Sequence, residues 1–155
     1  MEASGRRSPL PAVVAALTVL SAAAAVGVPR MLAASRAANE AAAVVSLRRL
    51  VRAEASVPYR QDLAALADRL PPDLSLGSAS GYRFGAILLD EAGAPLDPAR
   101  RFAYYAIPET YGDTGRTTFL AGEDGKVYAK DPGLNVLPAR WPAADPAAAG
   151  WRIIP

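Results

Sequence analysis

The chain has 155 residues and a formal net charge of +2, and it contains neither cysteine nor histidine. The length allows one domain, while the two missing residue types exclude disulfides, thiolate chemistry and the commonest general base and transition-metal ligand. The small net charge, with arginines scattered rather than interleaved with aromatics, predicts no nucleic-acid partner.

A long uncharged stretch follows a polar start that carries Arg6 and Arg7. As a helix, Leu10–Val28 would span about 28 Å, close to the ~30 Å hydrocarbon thickness of a bilayer. The arginine pair predicts that residues 1–9 stay in the cytoplasm. We therefore expect a transmembrane helix that acts as a signal anchor and binds the membrane through Leu10–Val28. A cleavable signal peptide is the alternative.

The run that follows Pro29 is dense in helix formers and has no further proline or glycine before residue 57. Its larger apolar residues recur at spacings of three and four, which is the period of one helix face: Val44, Leu47, Leu50 and Val51. We predict a single N-terminal helix with a hydrophobic half at 10–28 and an amphipathic half at 29–56. Such a helix suits a subunit that packs in a bundle of its own copies.

The most characteristic residues of this run are Arg36-Ala37-Ala38-Asn39-Glu40-Ala41 and Val45-Ser46-Leu47-Arg48. Together with Pro29 before them, they resemble the stretch after the hydrophobic helix half in the type IV pilin and type II secretion pseudopilin superfamily. The resemblance implies a head packed on the helix and other pilin-like subunits as partners through the N-terminal helix. The chain departs from the family at the prepilin peptidase site, because Ala12 stands where the family has glutamate.

Two head segments are similar to the first head strands of pilin-like proteins, Gly81–Phe84 and Phe102–Ala106. The C-terminal half carries a second resemblance, through Ile107–Gly115, Asp124–Asp131 and Asp145-Pro146, to a family of bacterial secreted proteins of unknown function. This second resemblance implies an exported β-rich head and supplies no activity.

The head itself predicts a short helix at Gln61–Leu70, ended by Pro71-Pro72, and then strands with a tight hairpin loop at 122–125. The strand candidates are Tyr82–Leu89, Arg101–Ile107, Thr117–Ala121 and Lys126–Lys130. The expected fold class is α+β and pilin-like: a long N-terminal α-helix packed on a small antiparallel sheet of three to four strands. The expected divisions are 1–9, 10–28, 29–56, a head at 57–131, and a Pro-rich tail at 132–155 pinned by Trp141, Trp151 and Ile153.

Candidate chemical groups are few. A Ser–Lys arrangement could use only Lys126 or Lys130. A carboxylate pair could come from acidic residues in predicted turns: Asp90, Glu91, Asp113, Glu123 and Asp124. A calcium site could use Glu123, Asp124 and Asp131. Acidic residues in turns usually bond the backbone or water. An aromatic ligand patch could come from Tyr104, Tyr105, Tyr111 and Tyr128. We assign no catalytic, cofactor-binding or metal-binding residue and expect no cofactor.

These observations favour a non-catalytic structural subunit of a type IV pilus or type II secretion-type assembly. It would be a single-pass protein of the inner membrane, with a cytoplasmic N-terminus and a periplasmic or extracellular head. The alternative is an exported periplasmic or secreted binding module of unknown ligand whose signal peptide is cleaved. An enzyme is a third interpretation, which a cluster of carboxylates in a deep pocket would favour.

Overall fold

The computed structural model describes residues 10–55, 62–97 and 100–155, and the side chains from Pro29 onward. The fold is α+β, as predicted, and the chain divides into two compact units, Met1–Ala34 and Ser35–Pro155. The helices are α1 (Leu10–Ala55), a 3₁₀ helix (Ala64–Arg69) and α2 (Pro72–Ser75). The strands are β1 (Ser78–Ala79), β2 (Tyr82–Ala86), β3 (Ala103–Pro108), β4 (Thr118–Gly122), β5 (Val127–Lys130) and β6 (Arg152–Ile154).

The strands form one antiparallel sheet of six strands in the order β1-β2-β3-β4-β5-β6. The prediction of three to four strands is therefore wrong. The four predicted strands are present with shifted limits, and β1 and β6 are additional. β1 has two residues, too few for an alternating pattern. β6 lies in the Pro-rich tail and exists because it pairs with β5, with Ile153 opposite Tyr128.

One face of α1 forms the main core with the sheet. Leu47 and Leu50 are fully buried, and Ala43 and Ala53 extend the same face at helical spacing. They share a cluster with residues from four strands: Tyr82, Phe84, Tyr104, Ala106, Phe119, Ala121, Val127 and Ala129. The hydrophobic period of the sequence therefore marked the correct face of the helix.

The opposite face of the sheet is also covered. Side chains alternate along β4, so that Phe119 joins the cluster under α1 while Leu120 joins a second cluster with Tyr128 and Trp141. The tail holds Trp141 there through a hydrogen bond from its backbone N–H to the carbonyl of Leu89, 2.8 Å. Since both faces are covered, every residue of β4 is buried.

The tail and the short helix differ from the predictions in detail. Trp141 is buried and Trp151 half-buried, but Ile153 is 46% exposed, so Ile153 does not pin the tail by burial. The helix predicted at residues 61–70 is a 3₁₀ helix over Ala64–Arg69 in the described part. Pro72, expected to end that helix, instead begins α2, where a proline's missing N–H costs nothing.

The predicted membrane location is contradicted by the structure. Among the residues that it describes, no helix is both long enough and apolar enough to span a bilayer. The structure therefore gives no support to the inner-membrane, single-pass, signal-anchor and periplasmic assignments. It also gives none to the assignments to a pilus or a secretion system. Residues 1–9 and the side chains of Leu10–Val28 lie outside the described part of the chain.

Candidate functional site

The outward-facing side of α1 in the second unit is the first candidate surface. It consists of Ala41, Val45, Arg49 and Arg52, which follow one another at spacings of three and four and are all exposed. We call these four residues the outer face of α1. Val45 is 48% exposed although it lies two residues before the fully buried Leu47. The outer face thus combines an apolar centre with two guanidinium groups.

A hollow of about 360 Å³ lies beside this outer face. Val45 and Arg49 line one side of it, and α2 and β1 line the other with Asp73, Leu74 and Ala79. A depression between a helix and neighbouring elements can receive a side chain from another helix, as in knobs-into-holes packing. The outer face and the hollow together make a surface suited to helix packing.

The polar residues of the same helix serve contacts within the subunit. The amide of Asn39 donates to the carbonyl of Thr114 at 2.9 Å, and Glu40 Oε1 accepts from the backbone N–H groups of Arg116, 2.9 Å, and Thr117, 3.3 Å. These bonds fix the loop between β3 and β4 to α1. The most distinctive residues of the Arg36–Ala41 segment therefore position the head on its helix.

The sequence did not point to Glu54, which is fully buried in α1. The phenol of Tyr104, also fully buried, donates to Glu54 Oε2 at 3.1 Å. Burial and the neighbouring carboxyl of Glu54 raise the pKa of Tyr104 above its ordinary value. The helical period was the available signal, because Glu54 follows Leu47 and Leu50 at spacings of seven and four.

Of the acidic residues singled out in the sequence, Glu91 and Glu123 both pair with Arg101, and Asp90, Asp124 and Asp131 bond groups elsewhere. Asp90 Oδ1 accepts the N–H groups of Ala92 and Ala94 at 2.9 and 2.8 Å, Glu123 pairs with Arg101 at 3.2 Å, and Asp124 Oδ1 accepts the N–H of Lys126 at 3.0 Å. Glu91 lies 4.0 Å from Arg101, and Asp131 accepts the phenol of Tyr111 at 2.8 Å. Within the described ranges, no three acidic side chains are grouped to hold a metal ion.

The four tyrosines likewise lie in separate places. Tyr104 faces α1, whereas Tyr105 lies on the other face of the sheet, over Gly85, where an added Cβ would come within 2.4 Å of its phenol oxygen. Tyr111 is bonded to Asp131 at the surface, and Tyr128 donates to Asp124 Oδ2 at 2.6 Å. They form no common patch, and the hydroxyls of Tyr104, Tyr111 and Tyr128 each bond a carboxylate of the chain.

The buried tyrosines predict a loss of stability in alkali. Burial first, and then the hydrogen bond to Asp124, raise the pKa of Tyr128 to about 12, and burial raises the pKa of Tyr82 and Tyr104 as well. Unfolded phenols lose their protons near pH ~10, so above that pH the folded state binds more protons than the unfolded state. The free energy of unfolding should therefore be constant below pH ~10 and fall as the pH rises towards ~12.

Urea unfolding at a series of pH values checks this expectation. Tyr128→Phe should flatten the alkaline slope, whereas Lys126→Gln, at an exposed residue two positions earlier, should leave it unchanged. An unchanged slope in Tyr128→Phe would show that the phenol is not protected in the fold.

Comparison with known proteins gives one partial match. A family described as a protein of unknown function (DUF2950) matches residues 98–144. This stretch overlaps the residues of the second resemblance and contains β3, β4 and β5, and the description assigns no activity. Neither the curated proteins nor the solved structures contain a match to the chain.

Proposed function

We propose that the chain is a non-catalytic assembly subunit of pilin-like architecture, and that the outer face of α1 packs against helices of other copies. The observation that carries this proposal is the exposed Val45 at the centre of that face, beside a hollow of about 360 Å³. An apolar side chain in such a position gains free energy when a second helix covers it.

The first unit supports the same function independently. All six residues of its described C-terminal part, Pro29–Ala34, are exposed, with Met31 at 74% and Leu32 at 49%. An amphipathic helix usually turns such side chains towards a core, and helical stability in water comes mostly from that packing. A helix that exposes apolar side chains such as Met31 and Leu32 gains stability when it associates with other helices.

The acidic and tyrosine side chains discussed above support the non-catalytic part of the proposal. Asp90, Asp124 and Asp131 each accept hydrogen bonds from nearby backbone or tyrosine groups. Carboxylates used in this way stabilise turns.

Cysteine crosslinking tests the proposal, because the chain contains no cysteine and each introduced thiol is unique. In the full chain, Val45→Cys treated with a bismaleimide should give covalent dimers and higher species. Leu134→Cys is the matched control, since Leu134 is a similarly exposed apolar residue, at 59%, in the tail. We expect the control to remain monomeric under the same treatment.

A second variant separates association from folding. Val45→Glu should lower the molar mass measured by light scattering. At concentrations where both proteins are monomeric it should leave the unfolding temperature unchanged, because the position is exposed and outside the core. The proposal fails if the unmodified chain is monomeric, or if both cysteine variants crosslink equally.

A further inference from the structure

A second recess lies on the face of the sheet that does not contact α1. It is a groove of about 300 Å³ between the strands and the irregular segment that follows β5. Its principal lining residues are Thr118, Lys130, Leu137, Arg140, Pro142 and Trp151. Small-molecule sites typically measure roughly 300–1,000 Å³, so the groove has the size of a site for a small ligand.

The walls of the groove are apolar and open to solvent. Leu137 is 56% exposed and Val136 45% exposed, and the ring of Trp151 is half-buried opposite them. Pro138 and Pro142 restrict the backbone on either side of Arg140. Walls of this kind are largely formed before a ligand arrives, which reduces the entropy lost on binding.

The two charged residues of the groove are both cationic, and the guanidinium of Arg140 lies beside Gly93, which is not part of the lining. Lys130 and Arg140 line it, and no carboxylate does so among the described residues. The ammonium of Lys130 lies 5.9 Å from the centre of the Trp151 ring and donates to the carbonyl of Ala149 at 3.1 Å. An ammonium has three donors, so this contact holds the cation in place and leaves donors for an anion.

Thr118, which is 3% exposed, also lines the groove. Its Oγ1 has no hydrogen-bond partner in the part of the chain that the structure describes. Buried polar groups are nearly always paired, and leaving one unpaired costs free energy.

We propose that this groove binds a small organic carboxylate with an aromatic or aliphatic body. The body lies between Leu137, Pro142 and Trp151, and the carboxylate pairs with Lys130. A polar atom of the ligand pairs with the Thr118 hydroxyl. This proposal goes beyond the assembly function and does not depend on it, because no residue of the outer face of α1 lines the groove.

Titration of the full chain with phenylacetate tests the proposal, with phenylacetamide as the neutral analogue of the same shape. The chain has two tryptophans, whose indole N–H signals can be followed separately by NMR. The signal of Trp151 should move on titration and that of the buried Trp141 should not. The amide should bind about tenfold more weakly, since it loses the charge-assisted contact.

Two variants assign the contacts. Lys130→Gln should weaken phenylacetate binding by about tenfold, whereas Lys126→Gln, which removes the other lysine of the chain, should leave it unchanged. Thr118→Val should weaken binding severalfold while leaving the unfolding temperature equal or higher, because it removes an unpaired buried hydroxyl without changing side-chain volume. This opposite effect on binding and stability would not arise from a purely structural threonine.

The proposal is overturned by any of three results: no movement of the Trp151 signal, equal binding of acid and amide, or equal loss in both lysine variants. A lower unfolding temperature in Thr118→Val would also contradict it, since the hydroxyl would then have a structural partner.

Discussion

Leu47→Ala is expected to lower the free energy of unfolding by about 3 kcal/mol. Leu47 is fully buried where α1 meets the sheet, in one cluster with Tyr104 and Phe119. Truncation removes apolar surface from this cluster and leaves a cavity, because a helix held by other contacts cannot move fully into the gap. Urea unfolding followed by circular dichroism measures the change as a shift of the midpoint at constant slope.

Val45→Ala is the matched control on the same helix. Val45 is 48% exposed, so its truncation should change the free energy of unfolding by less than about 0.5 kcal/mol. Comparable losses in the two variants would mean that the buried face of α1 has been assigned incorrectly. The measurement is best made at protein concentrations where association is absent, because Val45 also belongs to the proposed assembly surface.

The sequence predicted those parts of the fold that local patterns specify. Leu47 and Leu50 mark the buried helix face through their period, and the hairpin between β4 and β5 follows from Gly122 and Gly125. The N–H of Gly125 donates to the carbonyl of Gly122 at 3.0 Å, and its φ of 72° requires glycine or a strained residue. In both cases the residues that predict the element are close in the sequence to the element itself.

The missed elements depend on contacts between distant residues. β6 forms because Arg152 and Ile153 reach β5, and nothing in the sequence around Pro146 predicts that pairing. The groove is lined by residues far apart in the sequence, among them Thr118 and Trp151. Likewise, the contact between Glu54 and Tyr104 joins residues fifty positions apart. Long-range pairing of this kind cannot be derived from one sequence alone.

Tyr104→Phe is expected to lower the free energy of unfolding by about 2 kcal/mol. The substitution keeps the buried ring and removes the hydroxyl that donates to Glu54 Oε2 at 3.1 Å. Both side chains are fully excluded from solvent, so water cannot replace the lost donor. The expected loss of stability is therefore the free energy of leaving the buried Glu54 carboxyl with one hydrogen bond fewer. Tyr105→Phe, one residue further along β3 but on the opposite face of the sheet, should change stability by less than about 0.5 kcal/mol.

A double-mutant cycle separates this contact from the other interactions of Glu54. Glu54→Met alone should be destabilising, because it leaves the phenol of Tyr104 buried without its acceptor. Combined with Tyr104→Phe it should cost less than the sum of the single variants, since neither polar group then remains to be paired. A strictly additive double variant would show that the two groups do not interact in solution. A coupling of the expected sign would show that the Glu54 carboxyl and the Tyr104 phenol interact where α1 packs on the sheet.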